Sequence, residues 1–464
     1  MVIMTISTDV PYGPRVATNG IPASKMRVFL VQTAQGLTPS SGGYKANVNL
    51  LRQLRLLGHD AAQICYGFED EVEKYAELAR AKGVEPNVTN HSALPVVDSK
   101  GNQRQLDVKT FMDEHGIHNI VISRVPFNEA YPTREFWQDT KDYLEERSIT
   151  QRMQTLIDIF SEHITAYRPT HVVFNDPVTM KVTADHALRT TFKRINVIHT
   201  AEQLPFGPYC NGILGHCSSP EVEDRLLREL EGIWVVSKAI GDYAWQYGRL
   251  KTTFLVHSPL TYLDARTGGM PVQRYNIDKF EVGMVNPCPH KGLSILVELA
   301  KRLPQIQFVT WSSWGSRGKH LDQLKALPNM KVMPTTSNTD EIWDRIKVLL
   351  APSVWLEAWG VVVTEAQLRG IPVIASNAGG LKEAKIDLPY CLPVNVVTGD
   401  KHENGDYIVP EQNIDLWEDA VLRLMTCKQN YDRVARATAQ GSVKWLNGLD
   451  PRAHEKWFLG MMTA

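Results

Sequence analysis

Short apolar segments alternate with longer amphipathic segments along most of the chain. The apolar runs have the length of buried strands, and apolar residues recur at helical spacing between several of them, as in residues 44–57 and 149–167. This alternation is typical of α/β folds with parallel sheets. The pattern predicts two sets of strands. The first set is predicted at 27–33, 61–66, 119–123, 171–174, 196–199, 234–237 and 254–256, and the second at 280–285, 307–311, 331–334, 348–351 and 372–375.

A polar stretch at 261–278, which includes Gly268, Gly269 and Pro271, separates the two sets and has the composition of a linker. The chain of 464 residues also exceeds the size at which one hydrophobic core keeps growing, so two domains are expected. We predict a flexible N-terminal extension at 1–25, a first domain at 26–260, a linker at 261–278, a second domain at 279–431, and a C-terminal helical segment at 432–464 with one helix over 432–459.

Composition and charge exclude several classes of protein. With 50 basic and 51 acidic residues the net charge is −1, which gives no sign of nucleic-acid binding or of a strongly basic membrane face. The six cysteines lack CxxC or metal-ligand spacing, which favours reduced thiols. No apolar run is long enough to span a bilayer, and the first 25 residues do not resemble a signal peptide. We therefore expect a cytoplasmic protein without an integral membrane segment.

The most informative stretch is 347–385, KVLLAPSVWLEAWGVVVTEAQLRGIPVIASNAGGLKEAK. It predicts a strand, a loop that contains Glu357, a short helix that contains Glu365, and a second strand. A helix that begins after Gly360, at Val361, directs free backbone N–H groups and the positive end of its dipole at the space above the sheet, which suits a diphosphate. Glu365 is placed to bind a diol such as a ribose, and Glu357 to bind another set of hydroxyls on the same ligand.

The spacing Glu357-x7-Glu365, with the strand at 372–375 and the run Gly379-Gly380-x-x-Glu383, resembles the donor-site signature of retaining glycosyltransferases of the GT-B architecture, in particular glycosyltransferase family 4. The resemblance implies two facing Rossmann-like domains with parallel sheets, an active site in the cleft between them, and a C-terminal helix that crosses back to the first domain. It also implies retention of the anomeric configuration of the transferred sugar.

A glycine pair, Gly42-Gly43, precedes the first predicted helix, where adjacent glycines let the backbone approach a ligand closely. The GxGxxG pattern of dinucleotide-dependent dehydrogenases is missing there. By the resemblance, this loop lies near the donor phosphates and acceptor, and His199, at the end of its predicted strand, lies near the donor sugar. The alternatives are a flexible turn and a hydrogen-bonded core histidine.

The second domain opens with FEVGMVNPCPHKG, which resembles the family's strand, phosphate loop and helix. In the family an arginine and a lysine clamp the diphosphate, and Lys291 matches the lysine. The arginine position, counted from Gly283, is occupied by Met284, which removes one strong bidentate contact to the leaving group. Asn286 is expected to donate to the phosphate instead.

Cleavage of the anomeric C–O bond develops positive charge on the sugar and negative charge on the departing phosphate, so donors are needed around the phosphate. Lys291 and the helix end before Val361 meet this need, and the chain has no Asp-x-Asp pair after a predicted strand. We expect no metal and no cofactor, with Lys291, Glu357 and His199 as the catalytic residues. By the resemblance, a donor phosphate oxygen takes the acceptor's proton.

The donor is expected to be a UDP-sugar, whose base contacts the backbone around 333–337, and the acceptor a small molecule or saccharide. Phe127, Tyr131, Phe206 and Tyr209 lie in first-domain loops and are candidates for the acceptor surface, although loop packing also explains them. Two other functions remain open: a GT-B nucleotide-sugar epimerase, and a non-catalytic nucleotide-sugar-binding module, which Met284 motivates.

Overall fold

A computed structural model describes residues 25–32, 37–38, 41–98, 100–212, 217–259, 270–336, 338–403 and 406–463. Residues 1–24 of the predicted N-terminal extension and 261–269 of the predicted linker lie outside the described residues. Strands and helices alternate as the sequence pattern predicts, and they form two separate sheets. The α/β fold class and its two Rossmann-like domains are thus confirmed.

The first sheet contains nine strands in the order β3-β4-β5-β2-β1-β6-β7-β8-β9. Along this order, all neighbouring strands from β5 through β2 and β1 to β9 are parallel. The central strand β1 (RVFLV) is almost wholly buried, as expected for a sheet covered on both faces. The strands are β1 Arg27–Val31, β2 Asp60–Gly67, β3 Thr89–Val97, β4 Gln103–Met112, β5 His118–Ser123, β6 His171–Phe174, β7 Lys193–Ile198, β8 Gly232–Val235 and β9 Thr253–Val256. The helices of this part are α1 Gly42–Leu56, α2 Glu69–Ala81, α3 Arg124–Ala130, α4 Thr133–Leu144, α5 Gln151–Tyr167, α6 Pro177–Asp185, α7 Pro220–Arg228 and α8 Lys238–Tyr243.

The hairpin β3–β4 was not predicted, and it makes one edge of this sheet antiparallel. Its first strand contains the polar run Thr89-Asn90-His91-Ser92, which has the composition of a loop. The turn is held by Asp98, whose carboxylate accepts hydrogen bonds from the backbone N–H groups of Lys100 and Asn102, both at 2.9 Å. An Asx turn of this kind needs only a short polar segment, so the hydrophobic pattern does not reveal it.

The second sheet contains six parallel strands in the order β12-β11-β10-β13-β14-β15. They are β10 Glu281–Val285, β11 Gln307–Trp311, β12 Met330–Met333, β13 Ile346–Ala351, β14 Val373–Ser376 and β15 Cys391–Leu392. Its helices are α9 Leu293–Arg302, α10 Gly318–Lys325, α11 Asp340–Trp343, α12 Val361–Leu368, α13 Leu381–Ala384 and α14 Asp415–Thr426.

The single C-terminal helix predicted over 432–459 is wrong in one respect, because the structure has two helices there, α15 Lys428–Gly448 and α16 Ala453–Thr463. Pro451 lies between them and lacks the N–H that a continuous helix needs. The crossing back to the first domain is confirmed, since α16 packs on the first sheet. His59 Nε2 lies 2.9 Å from a Glu455 oxygen, and His171 Nε2 lies 3.0 Å from the Phe458 carbonyl oxygen. None of the described helices is both long and apolar enough to cross a bilayer.

Candidate functional site

The candidate residues lie where the strand order reverses in each sheet. In the second sheet, β11 and β12 follow β10 on one side, and β14 and β15 follow β13 on the other side. In the first sheet, β2 follows β1 on one side, and β7, β8 and β9 follow β6 on the other side. Loops that leave the carboxyl ends of two such strands diverge and open a crevice, which is the usual ligand site of open α/β sheets. The loop after β10 carries Lys291, and the loop after β13 carries Glu357.

Lys291 and Glu357 form an ion pair through Nζ and Oε1. Burial alone would lower the pKa of Lys291, but the Glu357 carboxylate outweighs it and the pKa of Lys291 is raised. Burial alone would raise the pKa of Glu357, but the charge and hydrogen bond of Lys291 lower it. Both groups therefore stay charged, with Glu357 buried and Lys291 partly exposed. The two residues assigned to the phosphate and the sugar are neighbours, as one ligand would require.

Short backbone contacts hold these two loops together. The His290 carbonyl accepts hydrogen bonds from Val354 N and Ser353 Oγ, both at 3.0 Å. Gly292 has a φ of +89°, and a Cβ there would stand 2.1 Å from the Pro352 carbonyl oxygen. Lys291 and Glu357 are thus set by one tightly packed backbone junction.

The Gly379-Gly380 pair supports the Glu357 loop from the other side. Gly380 N donates to the Glu357 carbonyl at 2.7 Å, and a Cβ on Gly380 would stand 2.1 Å from the Ala358 carbonyl oxygen. Glu383 of the same motif reaches the first domain, where its carboxylate accepts from Lys238 N at 2.8 Å and Ala239 N at 2.9 Å. The last part of the motif therefore joins the two domains.

The N-termini of α1 and α12 meet across the cleft. A Cβ on Gly42 would stand 2.7 Å from Val361 Cγ2, so only glycine permits this approach. Lys45 Nζ of α1 lies 3.9 Å from Glu365 Oε1 of α12. The N-termini of two helices, with their positive dipole ends, thus converge near the Lys291–Glu357 pair, and Gly360, with a φ of +89°, provides the entry into α12.

His199 follows β7 directly and joins this group. A Cβ on Gly43 would stand 2.9 Å from His199 Cγ, so the imidazole packs against the start of α1. Its Nε2 lies 2.8 Å from Asn47 Oδ1, and its backbone N donates to Gln203 Oε1 at 2.7 Å. The structure therefore gathers Gly42, Gly43, His199, Val361 and Glu365 at one end of the cleft.

The other positions predicted to bind the donor, Asn286 and the described part of the segment 333–337, and Met284 at the family's arginine position make contacts within the protein. Asn286 has a φ of +59°, and its Oδ1 accepts a hydrogen bond from Gly315 N at 3.1 Å. Met284 is 1% exposed and belongs to the hydrophobic core. In the predicted base-binding segment, the Met333 carbonyl accepts from Ser312 N, while Ser337 lies outside the described residues.

Of the four candidate acceptor aromatics, Phe127 and Tyr131 lie together in one place, and Phe206 and Tyr209 lie together in another, beside Tyr243. Phe127 and Tyr131 are buried and stack on each other with ring centroids 4.4 Å apart, and the Tyr131 hydroxyl donates to the Arg152 carbonyl. Phe206 packs on Gly248. Tyr209 joins the domains by donating to the Val397 carbonyl at 2.5 Å. Packing thus accounts for Phe127 and Tyr131 without an acceptor, and Tyr209 alone among the four has a hydrogen bond across the cleft.

Sequence reasoning missed Glu202, three residues after His199. It is 3% exposed, and burial raises its pKa, with Lys291 and Glu357 among its electrostatic neighbours. Its position in a His-Thr-Ala-Glu run at the end of a strand was the available signal. Among the residues that the structure describes, no group of three or more His, Cys, Asp and Glu side chains is arranged to hold a metal ion.

Chemically, the site offers one partly exposed cation, one buried carboxylate and two helix N-termini around one crevice between two domains. Such a set can bind a diphosphate and orient hydroxyl groups next to it.

Comparisons with known proteins agree with this geometry. Residues 280–427 match the family described as Glycosyl transferases group 1. Over 173 residues the chain is 27% identical to D-inositol 3-phosphate glycosyltransferase of Mycobacteroides abscessus, a match that covers 34% of this chain and 34% of that protein.

Solved structures resemble the whole chain. The catalytic domain of starch synthase IV from Arabidopsis thaliana, bound to ADP and acarbose, has a TM-score of 0.62 at 12% identity and covers 95% of this chain and 100% of its own. Anabaena HepE in complex with UDP and glucose has a TM-score of 0.56 at 13% identity, with the same two coverages of 95% and 100%. The chain therefore has the GT-B fold of glycosyltransferases, and its second domain matches the group 1 family.

Proposed function

We propose that the protein is a retaining glycosyltransferase that moves a sugar from a nucleotide sugar, with a UDP-sugar as the donor, to a hydroxyl of a small molecule or saccharide without a metal ion. The observation that carries the proposal is the ion pair of Lys291 with the buried Glu357, near the facing N-termini of α1 and α12. Among solved structures of the same fold, the Anabaena protein holds UDP and glucose and the Arabidopsis starch synthase holds ADP, and both support a nucleoside-diphosphate sugar as donor.

Each role follows from charge and position. Lys291 and the two helix ends stabilise the departing diphosphate as its negative charge develops. Glu357 orients hydroxyls of the transferred sugar, and Glu365 binds the ribose. With Lys291 already paired to Glu357, the donor enters a site whose cation is oriented before binding, which lowers the cost of ordering it. A donor phosphate oxygen accepts the proton of the attacking hydroxyl, so no protein base is required.

The first test measures nucleotide release from UDP-glucose, UDP-GlcNAc and GDP-mannose in excess EDTA, and the anomeric configuration of any product by NMR. We expect release from a UDP-sugar that chelation leaves unchanged, and a retained configuration. An interconverted nucleotide sugar would indicate an epimerase, and binding without turnover a binding module. Loss of activity in EDTA that magnesium or manganese restores would contradict the metal-free mechanism.

Lys291→Ala should reduce turnover by roughly 30- to 1000-fold, because loss of a charge-assisted contact to a buried anion costs on the order of 2–4 kcal/mol. The variant leaves Glu357 buried without its cation, so its urea midpoint is compared with that of a Lys291→Met/Glu357→Gln double variant, in which neither charge remains, to measure the loss of stability separately from turnover. Lys301→Ala, at an exposed position of α9, is the matched control. A folded Lys291→Ala protein with unchanged turnover would remove the phosphate-binding role.

A further inference from the structure

A chain of four buried amide side chains crosses the first sheet and ends at His199. The chain consists of Asn119 on β5, Gln63 on β2, Gln32 just after β1 and Asn47 on α1, and each is at most 1% exposed. Burial of four uncharged polar groups is costly unless their hydrogen bonds are made. In this chain each amide bonds to the next.

The contacts form one continuous path. Asn119 Nδ2 donates to the Ile117 carbonyl at 2.9 Å, and Gln63 Nε2 lies 2.6 Å from Asn119 Oδ1. Gln32 Nε2 lies 3.2 Å from Gln63 Oε1, and Asn47 Nδ2 lies 3.3 Å from Gln32 Oε1. The last contact is His199 Nε2 at 2.8 Å from Asn47 Oδ1.

One end of the path fixes the direction of every bond. A backbone carbonyl can only accept, so the Asn119 group that faces Ile117 O must be the NH₂. Asn119 Oδ1 must then accept from Gln63, Gln63 Oε1 from Gln32, and Gln32 Oε1 from Asn47. Asn47 is left with its oxygen toward His199. A reversal of any amide would place two donors or two acceptors against each other at a buried position.

We propose that this amide chain acts as a positioning device that selects the Nε2–H tautomer of His199 and so makes Nδ1 the hydrogen-bond acceptor for a hydroxyl of the bound sugar or acceptor. In a neutral imidazole one nitrogen donates and the other accepts, so fixing Nε2 as the donor fixes Nδ1 as the acceptor. The ligand groups in question are hydroxyls, which donate their hydrogen to Nδ1.

The main chain of His199 is also held by an amide side chain whose direction is set by a backbone carbonyl. Gln203 Nε2 donates to the Asn175 carbonyl at 2.8 Å, which turns Gln203 Oε1 toward His199 N at 2.7 Å and Thr200 N at 3.1 Å. Both the ring and the backbone of His199 are therefore held by amides whose direction a carbonyl sets. The tautomer assignment rests on these contacts, and the role of Nδ1 toward a hydroxyl rests on the proposed transferase function.

The direct test is ¹⁵N NMR of the His199 ring in the 464-residue chain, assigned by comparison with His199→Gln. We expect the pattern of a single neutral tautomer with the proton on Nε2. Gln32→Met does not touch His199, but it removes the acceptor that holds Asn47, so Asn47 can reverse and the spectrum should show a mixture of tautomers. Gln154→Leu, which removes an exposed amide on α5, is the control and should leave the spectrum unchanged.

Measurement of turnover provides a second test of the proposal. With UDP-glucose as donor, Gln32→Met should lower turnover by about ten-fold while the Kd of UDP stays unchanged, since one oriented hydrogen bond of the reacting complex is lost. His199→Asn, whose side-chain oxygen can take the place of Nδ1, should keep more activity than His199→Gln, whose amide reaches the place of Nε2.

An Nδ1–H tautomer in the unmodified protein, or a Gln32→Met spectrum identical to the unmodified one, would overturn the proposal. Greater activity of His199→Gln than of His199→Asn would overturn the role of Nδ1. Absence of nucleotide release from every donor would refute the transferase function, whereas the NMR result would still decide the tautomer. The two failures are therefore distinguishable.

Discussion

Lys291 and Glu357 illustrate what single residues contribute to this site. A carboxylate buried in a crevice, as Glu357 is, needs a cation beside it to compensate the cost of removing it from water, and Lys291 provides that cation. The spacing of Glu357 and Glu365 in the sequence predicts two acceptors on one ligand, but it does not reveal that Glu357 contacts Lys291, 66 positions away. Glu365 instead faces Lys45 of the first domain. The two glutamates thus have different neighbours and, we infer, different roles.

Glu365→Ala should mainly weaken nucleotide binding, whereas Glu357→Gln should mainly lower turnover. Contacts to the ribose act equally in the ground and transition states, while contacts to the reacting sugar strengthen as charge develops. Titration of free UDP separates the two effects, with Glu77→Gln on the exposed face of α2 as the control. Equal loss of UDP affinity in Glu365→Ala and Glu357→Gln would mean that the roles are wrongly assigned.

At the scale of elements, the parallel strands β1, β2 and β5 to β14 could be predicted because they are short apolar runs between helices of clear periodicity, whereas the two-residue strand β15 is too short to show such a run and was not predicted. The hairpin β3–β4 could not, because its first strand contains a polar run, and the break before α16 was missed although Pro451 marks it. Gly42-Gly43 was predicted as a site where the backbone approaches a ligand closely, and Gly379-Gly380 as a turn of the donor-site motif. Which side chain or backbone each glycine meets depends on the packing of loops from distant parts of the chain, and local sequence does not contain that information.

Gly380→Ala should lower turnover by about 100-fold, because a displacement of reacting groups by about 1 Å can cost that much. The φ of Gly380 is −67°, which alanine adopts easily, so the effect would come from the new methyl group. That methyl would stand 2.1 Å from the Ala358 carbonyl oxygen and would displace the loop that carries Glu357. Gly448→Ala, where a Cβ meets nothing within 4 Å, is the control and should leave kcat unchanged. Wild-type kcat in a folded Gly380→Ala protein would show that the loop tolerates the shift.

At the scale of the whole molecule, the two domains are joined by more than the chain between them. Glu383 of the second domain binds the start of α8, Tyr209 of the first binds the Val397 carbonyl, and α16 leaves the second domain to pack on the first sheet. The family resemblance implies the return of a C-terminal helix, and the structure confirms it. The histidines that line this contact were not singled out in the sequence, because their burial follows only from the docking of α16.

Acidification should weaken the docking of α16, and His454 should account for part of the effect. Its ring lies between Trp234 and His257, with centroid distances of 4.4 and 4.6 Å, and its Nε2 is buried with no hydrogen-bond partner among the described residues. Burial lowers the pKa of His454 well below its ordinary value of 6.5, and burial also lowers the pKa of His171, beneath Phe458, to about 4.

Below pH 6.5 the unfolded chain therefore takes up protons that the folded protein does not, so the free energy of unfolding should fall as the pH drops from about 6.5 toward 4. Above pH 6.5 these histidines are neutral in both states and contribute no slope. His454→Met fills a similar volume without a titratable group, so its urea midpoint should depend less steeply on pH than that of the unmodified protein. His402→Met, at an exposed position, is the control. The same pH slope in His454→Met as in the unmodified protein would show that α16 stays docked for reasons unrelated to this histidine, and would place the acid sensitivity on His171, His257 or the Glu455 contact with His59 instead.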